Sequence, residues 1–154
     1  PAVDTLERDG RRLKIRKSYL LAAFQEGWHH IRPQVMYADK NIVSFRCESY
    51  SYTGGAHGMP DTKVGTIKNG KLLQLADLPD LNKIKILWQQ ALKSHSQFSE
   101  IKKYTCFIGT KPQLTENFYL DGKGIHFIYQ PYEIAPFAAG TIEIFVPLSF
   151  DSRI

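Results

Sequence analysis

The chain has 154 residues, of which 43% are apolar and 23% charged, with a formal net charge of +5 and two cysteines. That size and balance describe one domain that can bury its own core without disulfide staples, and they exclude long disorder. No apolar run approaches the length of a membrane span. The first residue is Pro1 with no Met before it, so the chain reads as processed or cut at its N-terminal side, with any export signal or anchor lying upstream.

Along the chain, Asp9-Gly10 signals a turn ahead of a basic segment, Arg11, Arg12, Lys14, Arg16 and Lys17. Leu13 and Ile15 alternate with Arg12, Lys14 and Arg16, the period of a strand with one apolar and one basic face. A solvated strand face explains this bias. Binding to an anionic polymer is the competing use, and without a recognised module or interleaved exposed aromatics no nucleic-acid site is expected. After Ser18, a residue suited to capping, Leu20, Leu21, Phe24, Trp28 and Ile31 recur at helical spacing until Pro33, with Gly27 weakening the helix.

From 42 to 52 the pattern is that of a strand, with Val43, Phe45 and Cys47 on one side and Ser44, Arg46 and Glu48 on the other. A glycine-rich loop follows, and then the runs 64–67 and 72–75 flank Asn69-Gly70. Asn-Gly between two β-prone runs predicts a hairpin, because both turn residues must accept positive φ. Asp80 opens the clearest helix, with Leu81, Ile84, Leu87, Trp88, Ala91 and Leu92 on one stripe and Ile86 off it, hence partly exposed. Strands are expected at 105–108, 117–120 and 125–130, the last with Ile125, Phe127 and Tyr129 on one face, and Asp121-Gly122-Lys123-Gly124 as the turn before it. A loop holding Pro131, Pro136 and Gly140 leads to a final strand in which Ile142, Ile144 and Val146 alternate with Thr141, Glu143 and Phe145. The expected fold class is α+β: a largely antiparallel sheet with one or two helices packed on one face, over a single domain spanning 1–154.

Cys47 and Cys106 lack metal-knuckle spacing, and both lie in apolar, strand-like surroundings that suit buried free thiols, with a single disulfide as the alternative in an oxidising compartment. His29 and His30 are adjacent, and neither His95 nor His126 has a ligand partner three or four residues away, so no metal and no cofactor is expected. No HExxH and no G-x-S-x-G occurs.

Two segments stand out as candidate binding elements. In Tyr50-Ser51-Tyr52-Thr53-Gly54-Gly55-Ala56-His57-Gly58, three glycines within five residues permit a sharp turn and a close approach beside His57. His57 reads first as a clamp on backbone carbonyls, with a base or a metal ligand as the alternatives. The second segment runs from Phe127 through Tyr132, Glu133 and Phe137, and its aromatics lose little rotamer entropy on docking. Phe127 and Tyr129 read as core, while Tyr132 and Phe137 suit either core or recognition. A catalytic alternative puts His57 and Glu133 in acid–base roles, and pairing of Glu133 with Asp121 is a further carboxylate arrangement that spacing leaves open.

Taken together, the stretch from Tyr52 to Gly58, Asn117-Phe118-Tyr119-Leu120, Asn69-Gly70-Lys71 with Leu75-Ala76-Asp77-Leu78, and Tyr132-Glu133-Ile134-Ala135-Pro136-Phe137-Ala138-Ala139-Gly140 resemble a bacterial domain family of largely unknown function. Its best-known member is the extracellular domain of RsiV-type anti-sigma factors, and related domains accompany some peptidoglycan deacetylases. The resemblance covers about 37–150. It implies a noncatalytic domain outside the cytoplasmic membrane, lipid-anchored in the full-length protein, that recognises a protein, lysozyme-like in the anti-sigma factors, or a cell-wall ligand. The alternative it implies is a cell-wall-active enzyme or the accessory domain of a deacetylase-like one. The candidate ligand-binding residues are Gly54, Gly55, His57, Tyr132, Glu133 and Phe137, and the glycine-rich loop and the aromatic loop are expected to combine in one surface.

Overall fold

The computed structural model of the chain describes residues 33–148 with their side chains, and the backbone of two further strands, β1 (Val3–Arg8) and β2 (Arg11–Arg16). These two pair antiparallel with Arg8 opposite Arg11, so the basic segment is a strand. Strand β1 was not expected from its sequence. The Asp9-Gly10 turn and the helix expected after Ser18 lie outside the described residues.

Strands β3 (Gln34–Ala38), β4 (Ile42–Ser51), β5 (Met59–Lys68) and β6 (Lys71–Leu72) form an antiparallel meander in chain order. Local chemistry makes its turns. The Asp39 carboxylate accepts the backbone N–H groups of Asn41 (2.7 Å) and Ile42 (2.9 Å), which closes the β3–β4 turn. Asn69 (φ 51°) and Gly70 (φ 74°) both take the left-handed conformation between Lys68 and Lys71, as the hairpin signal predicts. Strand β3 was missed because a register shift between Val35 and Tyr37 breaks its alternation. Strand β6 is shorter than expected, and Leu75 belongs instead to the short 3-10 turn Leu75–Asp77.

Helix α1 (Leu81–Lys93) begins at Asp80, whose carboxylate accepts the Lys83 N–H at 3.2 Å. It buries Ile84, Trp88 and Leu92 and leaves Ile86 exposed, as the position of Ile86 off the stripe requires. Leu81, at the helix start, is also exposed. Helix α2 (Phe98–Ile108) corrects the strand expected at 105–108. The β-prone run Thr105-Cys106-Phe107-Ile108 is overridden by tertiary packing: Ile101 and Thr105, one turn apart, are both buried, and the Thr105 hydroxyl donates to the Ile101 carbonyl at 2.8 Å. Cys106 therefore faces solvent, contrary to expectation, whereas Cys47 is buried on β4; neither is in a disulfide.

The second sheet comprises β7 (Phe118–Leu120), β8 (Gly124–Tyr129) and β9 (Ile142–Pro147), antiparallel and in that order. Its apolar face carries Phe118, Leu120, Ile125, Phe127, Tyr129, Ile142, Ile144 and Val146, packed with Ile84, Trp88, Leu92 and Ile101 of the helices. Each fully buried Ile or Phe contributes about 1.5–3 kcal/mol. On its other face Tyr119 and Ile128 pack with Val64 of β5. The fold is α+β: two helices packed with two antiparallel sheets.

Polar side chains, rather than a continuous ladder, join the sheets. Ser44 and Thr66 lie opposite each other on β4 and β5, and their hydroxyls are 2.8 Å apart. Ser44 donates to the Leu120 carbonyl, and the Leu120 N–H donates to the Thr66 hydroxyl at 2.9 Å. Asn117 accepts from the Val64 N–H at 2.9 Å and donates to the Thr62 carbonyl at 2.8 Å. Gln130 bonds both backbone groups of Thr62, accepting its N–H at 2.9 Å and donating to its carbonyl at 2.6 Å. The outer edge of β7 and the edge of β5 beyond β6 thereby satisfy backbone groups that burial would otherwise leave unpaired.

Candidate functional site

The glycine-rich loop connects β4 to β5. Gly54 (φ 102°) and Gly55 (φ 104°) occupy backbone space closed to other residues, and this folds the loop back over the end of β4. Two tyrosines are tied to it: the Tyr52 hydroxyl donates to the Gly55 carbonyl at 3.0 Å, and the Tyr50 hydroxyl accepts the Gly58 N–H at 3.0 Å. Tyr50 lies so close that a Cβ on residue 58 would fall 2.3 Å from its Cζ. Both rings nevertheless remain open to solvent, Tyr50 at 68% and Tyr52 at 64% exposure. His57 Nδ1 lies 3.2 Å from the Gly58 carbonyl, the backbone clamp expected of it.

The proline-flanked loop is held from below. Tyr132 adopts a left-handed φ of 70°, a conformation that costs on the order of 1 kcal/mol or more in a non-glycine residue. It is fixed there by its N–H to the Ala135 carbonyl (3.1 Å) and by the Tyr104 hydroxyl, which donates to the Tyr132 carbonyl at 2.7 Å. The Glu133 carboxylate accepts the Gln130 N–H at 2.8 Å, so it closes its own turn. Phe137 opens a short 3-10 turn, Phe137–Ala139.

The structure brings the two loops together. The His57 ring stacks on Phe137 with centroids 3.7 Å apart and planes 14° from parallel, and Tyr132 lies against the same Phe137 at 5.6 Å. Of the six candidate residues, His57, Phe137 and Tyr132 form one row of rings. Gly54 and Gly55 shape the loop that delivers the first, and Glu133 braces the loop that delivers the others. Asp121 lies in a separate cluster described below, and no contact joins it to Glu133.

Beside the loops lies a cleft of about 530 Å³, lined by residues including Glu48, Tyr50, Pro60, Asp61, Thr62 and Thr141. Glu48 and Tyr50 on β4 stand opposite Thr62 and Pro60 on β5, and Thr141 follows the turn that carries Phe137. Burial raises the Asp61 carboxyl above its usual range, partly offset by Lys63 and by the Thr62 backbone. Arg46 bonds Glu48 through Nε and Nη2, each at 2.9 Å. From the sequence Glu48 and Thr141 read only as strand residues and Tyr50 as part of the glycine-rich stretch, and no cleft was expected, because it depends on strand register and on a contact between loops about eighty positions apart.

A second polar cluster was also missed. His126 on β8 has Nε2 2.7 Å from Asp121 and Nδ1 3.1 Å from Glu143. Its ring lies parallel to Tyr119 (4.4 Å, 3°) and tilted against Phe145 (4.7 Å, 36°). Burial pulls its pKa down, but the hydrogen bonds and charges of the two carboxylates outweigh that and raise it. Asp121 is lowered because backbone N–H groups of Lys123 and Gly124 and the His126 ring outweigh its burial, and Glu143 is lowered first by its bond to His126. The carboxylates engage opposite nitrogens of the ring and do not converge on one point, and no metal-binding group is found among the described residues. Spacing along the chain could not reveal Glu143 as a partner. The Asp-Gly-Lys-Gly turn, combined with alternation on β8, could have pointed to Asp121.

Among the described residues no helix is long and apolar enough to cross a membrane. No curated protein matches the chain significantly. A solved family member from Bacteroides fragilis is 28% identical, with a TM-score of 0.56, over 76% of this chain and 49% of that one. A family protein from Pseudomonas aeruginosa PAO1 is 22% identical, with a TM-score of 0.60, over 76% of this chain and 56% of that one, and shows likeness of fold. The chain thus spans about half the length of these relatives. Residues 15–60 match the family described as deacetylase PdaC. Residues 71–149 match the family described as protein of unknown function, DUF3298, and the chain belongs to that family.

Proposed function

We propose that this chain is a noncatalytic binding domain acting outside the cytoplasmic membrane, related in role to the RsiV-type ectodomain, and that it recognises a protein or cell-wall ligand. The observation that carries this reading is the His57–Phe137 stack, which fuses the glycine-rich and proline-flanked loops into one surface beside a cleft. Pre-positioned aromatics reduce the entropy lost on docking, and here Tyr50, Tyr52 and Tyr132 are held by hydrogen bonds yet exposed. A catalytic pairing of His57 with Glu133 receives less support, since the ring is stacked on Phe137 and the carboxylate is engaged by the Gln130 N–H.

The match of residues 15–60 to the deacetylase PdaC family favours a second reading, the accessory domain of a deacetylase-like enzyme. The test is capture from a cell-envelope extract by the immobilised chain and by a His57→Ala/Tyr132→Ala variant with an unchanged circular dichroism spectrum. The reading expects capture to drop about tenfold or more, as for loss of a central aromatic anchor. Equal capture by both proteins removes this surface from consideration.

A further inference from the structure

The tyrosine pair and the cleft share one feature that the loop-to-loop contact does not explain. Tyr50 and Tyr52 are anchored through their hydroxyls, to Gly58 and Gly55, and their rings stay 68% and 64% exposed. Gly58 carries no Cβ at the point where Tyr50 approaches, so the ring is set along the loop instead of swinging freely. Exposed flat rings fixed in this way are platforms.

What lies beside the platform narrows the ligand. Glu48 and Thr141 border the same cleft as Tyr50. The Arg46 guanidinium bonds Glu48 through the single oxygen Oε1, which offsets the carboxylate charge and leaves Oε2 available as an acceptor. At the neighbouring Asp61 burial raises the carboxyl and disfavours its charged form, with Lys63 offsetting part of that. With Glu48 paired to Arg46, an ion of either sign finds no net opposite charge there and gains little Coulomb energy. A neutral molecule rich in O–H donors, with an apolar face to lay on a ring, needs no such charge.

We propose that the cleft between Glu48, Tyr50 and Thr141 binds a neutral sugar ring of a polysaccharide, with a C–H face on Tyr50 and hydroxyls donating to Glu48. This rests on the binding-domain reading above and gives it a ligand class. Aromatic stacking and donation to a charge-compensated carboxylate both persist in salt, so binding is insensitive to ionic strength, unlike binding governed by net charge.

The test is calorimetric titration of the whole chain with three probes: a tetramer of N-acetylglucosamine, its cationic glucosamine counterpart, and tetralysine. The expected result is saturable binding of the neutral tetramer that changes less than about twofold between low and high salt. It weakens about tenfold in Tyr50→Ala and in Glu48→Ala, which removes the acceptor, and by less in Tyr50→Phe, which keeps the ring but loses its bond to Gly58. Circular dichroism and the urea midpoint of each variant, expected unchanged at these exposed positions, report folding separately. Absence of binding to the neutral tetramer overturns the proposal, as does salt-sensitive binding confined to the two cations. If the neutral tetramer fails while envelope capture still depends on His57 and Tyr132, only the sugar assignment falls; loss of both results removes the binding-domain reading as well.

Discussion

Replacing His126 with Gln tests the electrostatics of the second sheet, and its size follows from the geometry. The bond to Asp121 is 2.7 Å between side chains 15% and 22% exposed, a setting in which a charge-assisted hydrogen bond contributes about 1.5–3 kcal/mol. The bond to Glu143 is longer, 3.1 Å, and that carboxylate is 45% exposed, so solvent screening reduces it to about 0–1 kcal/mol. Stacking on Tyr119 and Phe145 adds about 0.5–1.5 kcal/mol. Asp121 keeps the N–H groups of Lys123 and Gly124 at 2.7 and 2.9 Å and is not orphaned. The expected net cost is about 2–4 kcal/mol, which for a chain of this size lowers Tm by about 5–15 °C. Its pH dependence has a definite sign. His126 is raised in the folded state, so its contribution is complete below the unfolded value near 6.5 and is lost as pH rises through the folded pKa. Asp121 and Glu143 are lowered, so theirs is present above about 4 and is lost as pH falls through their folded values. Urea denaturation of wild type and variant from pH 3 to 9 should give the largest difference between about pH 4 and 6.5, shrinking on both sides. A difference that stays constant across that range would refute the ion-pair account and leave only packing.

The junction between the sheets gives a second test: Thr66→Val removes the hydroxyl that accepts the Leu120 N–H, leaves that buried donor unpaired, and should cost about 1–3 kcal/mol by urea denaturation. Asn117→Ala breaks bonds to Val64, Thr62 and Ile128 and should cost at least as much, with amide exchange at Val64 quickened. The cysteines should separate cleanly in a thiol-labelling assay. Exposed Cys106 reacts in the native protein at pH 8, whereas Cys47, whose thiol is pushed up to about 12 by burial, reacts only on unfolding. Native labelling of both thiols would contradict the buried β4 position, and labelling of neither would contradict the outward face of α2. Gly58→Ala should displace Tyr50, seen as shifted ring signals in NMR, while global stability changes by about 1 kcal/mol or less.

How much the sequence disclosed depended on whether the signal was local. The Asn69-Gly70 hairpin, the Asp80-capped helix and the alternation of Ile142, Ile144 and Val146 all follow from neighbours within one turn or strand, and all appear. Helix α2 was misread because its last four residues favour a strand on their own, and only the burial of Ile101 and Thr105 against the core decides otherwise. At the candidate site the unusual residues were visible, since consecutive glycines and a proline-flanked aromatic run are rare. That the two loops share one surface was expected, but the ring stack of His57 on Phe137 that joins them was not visible, nor was the cleft beside them. The triad at His126 was hidden for the same reason, because Glu143 reaches it across the β8–β9 register.

The union of the two loops in one binding surface is tested most directly by hydrogen–deuterium exchange of the chain with and without material it captures from the cell envelope. Protection should rise together over residues 52–58 and 130–137, the segments joined by the stacked rings of His57 and Phe137. Protection confined to one of these segments, or appearing on the basic β2 strand instead, would contradict a shared surface.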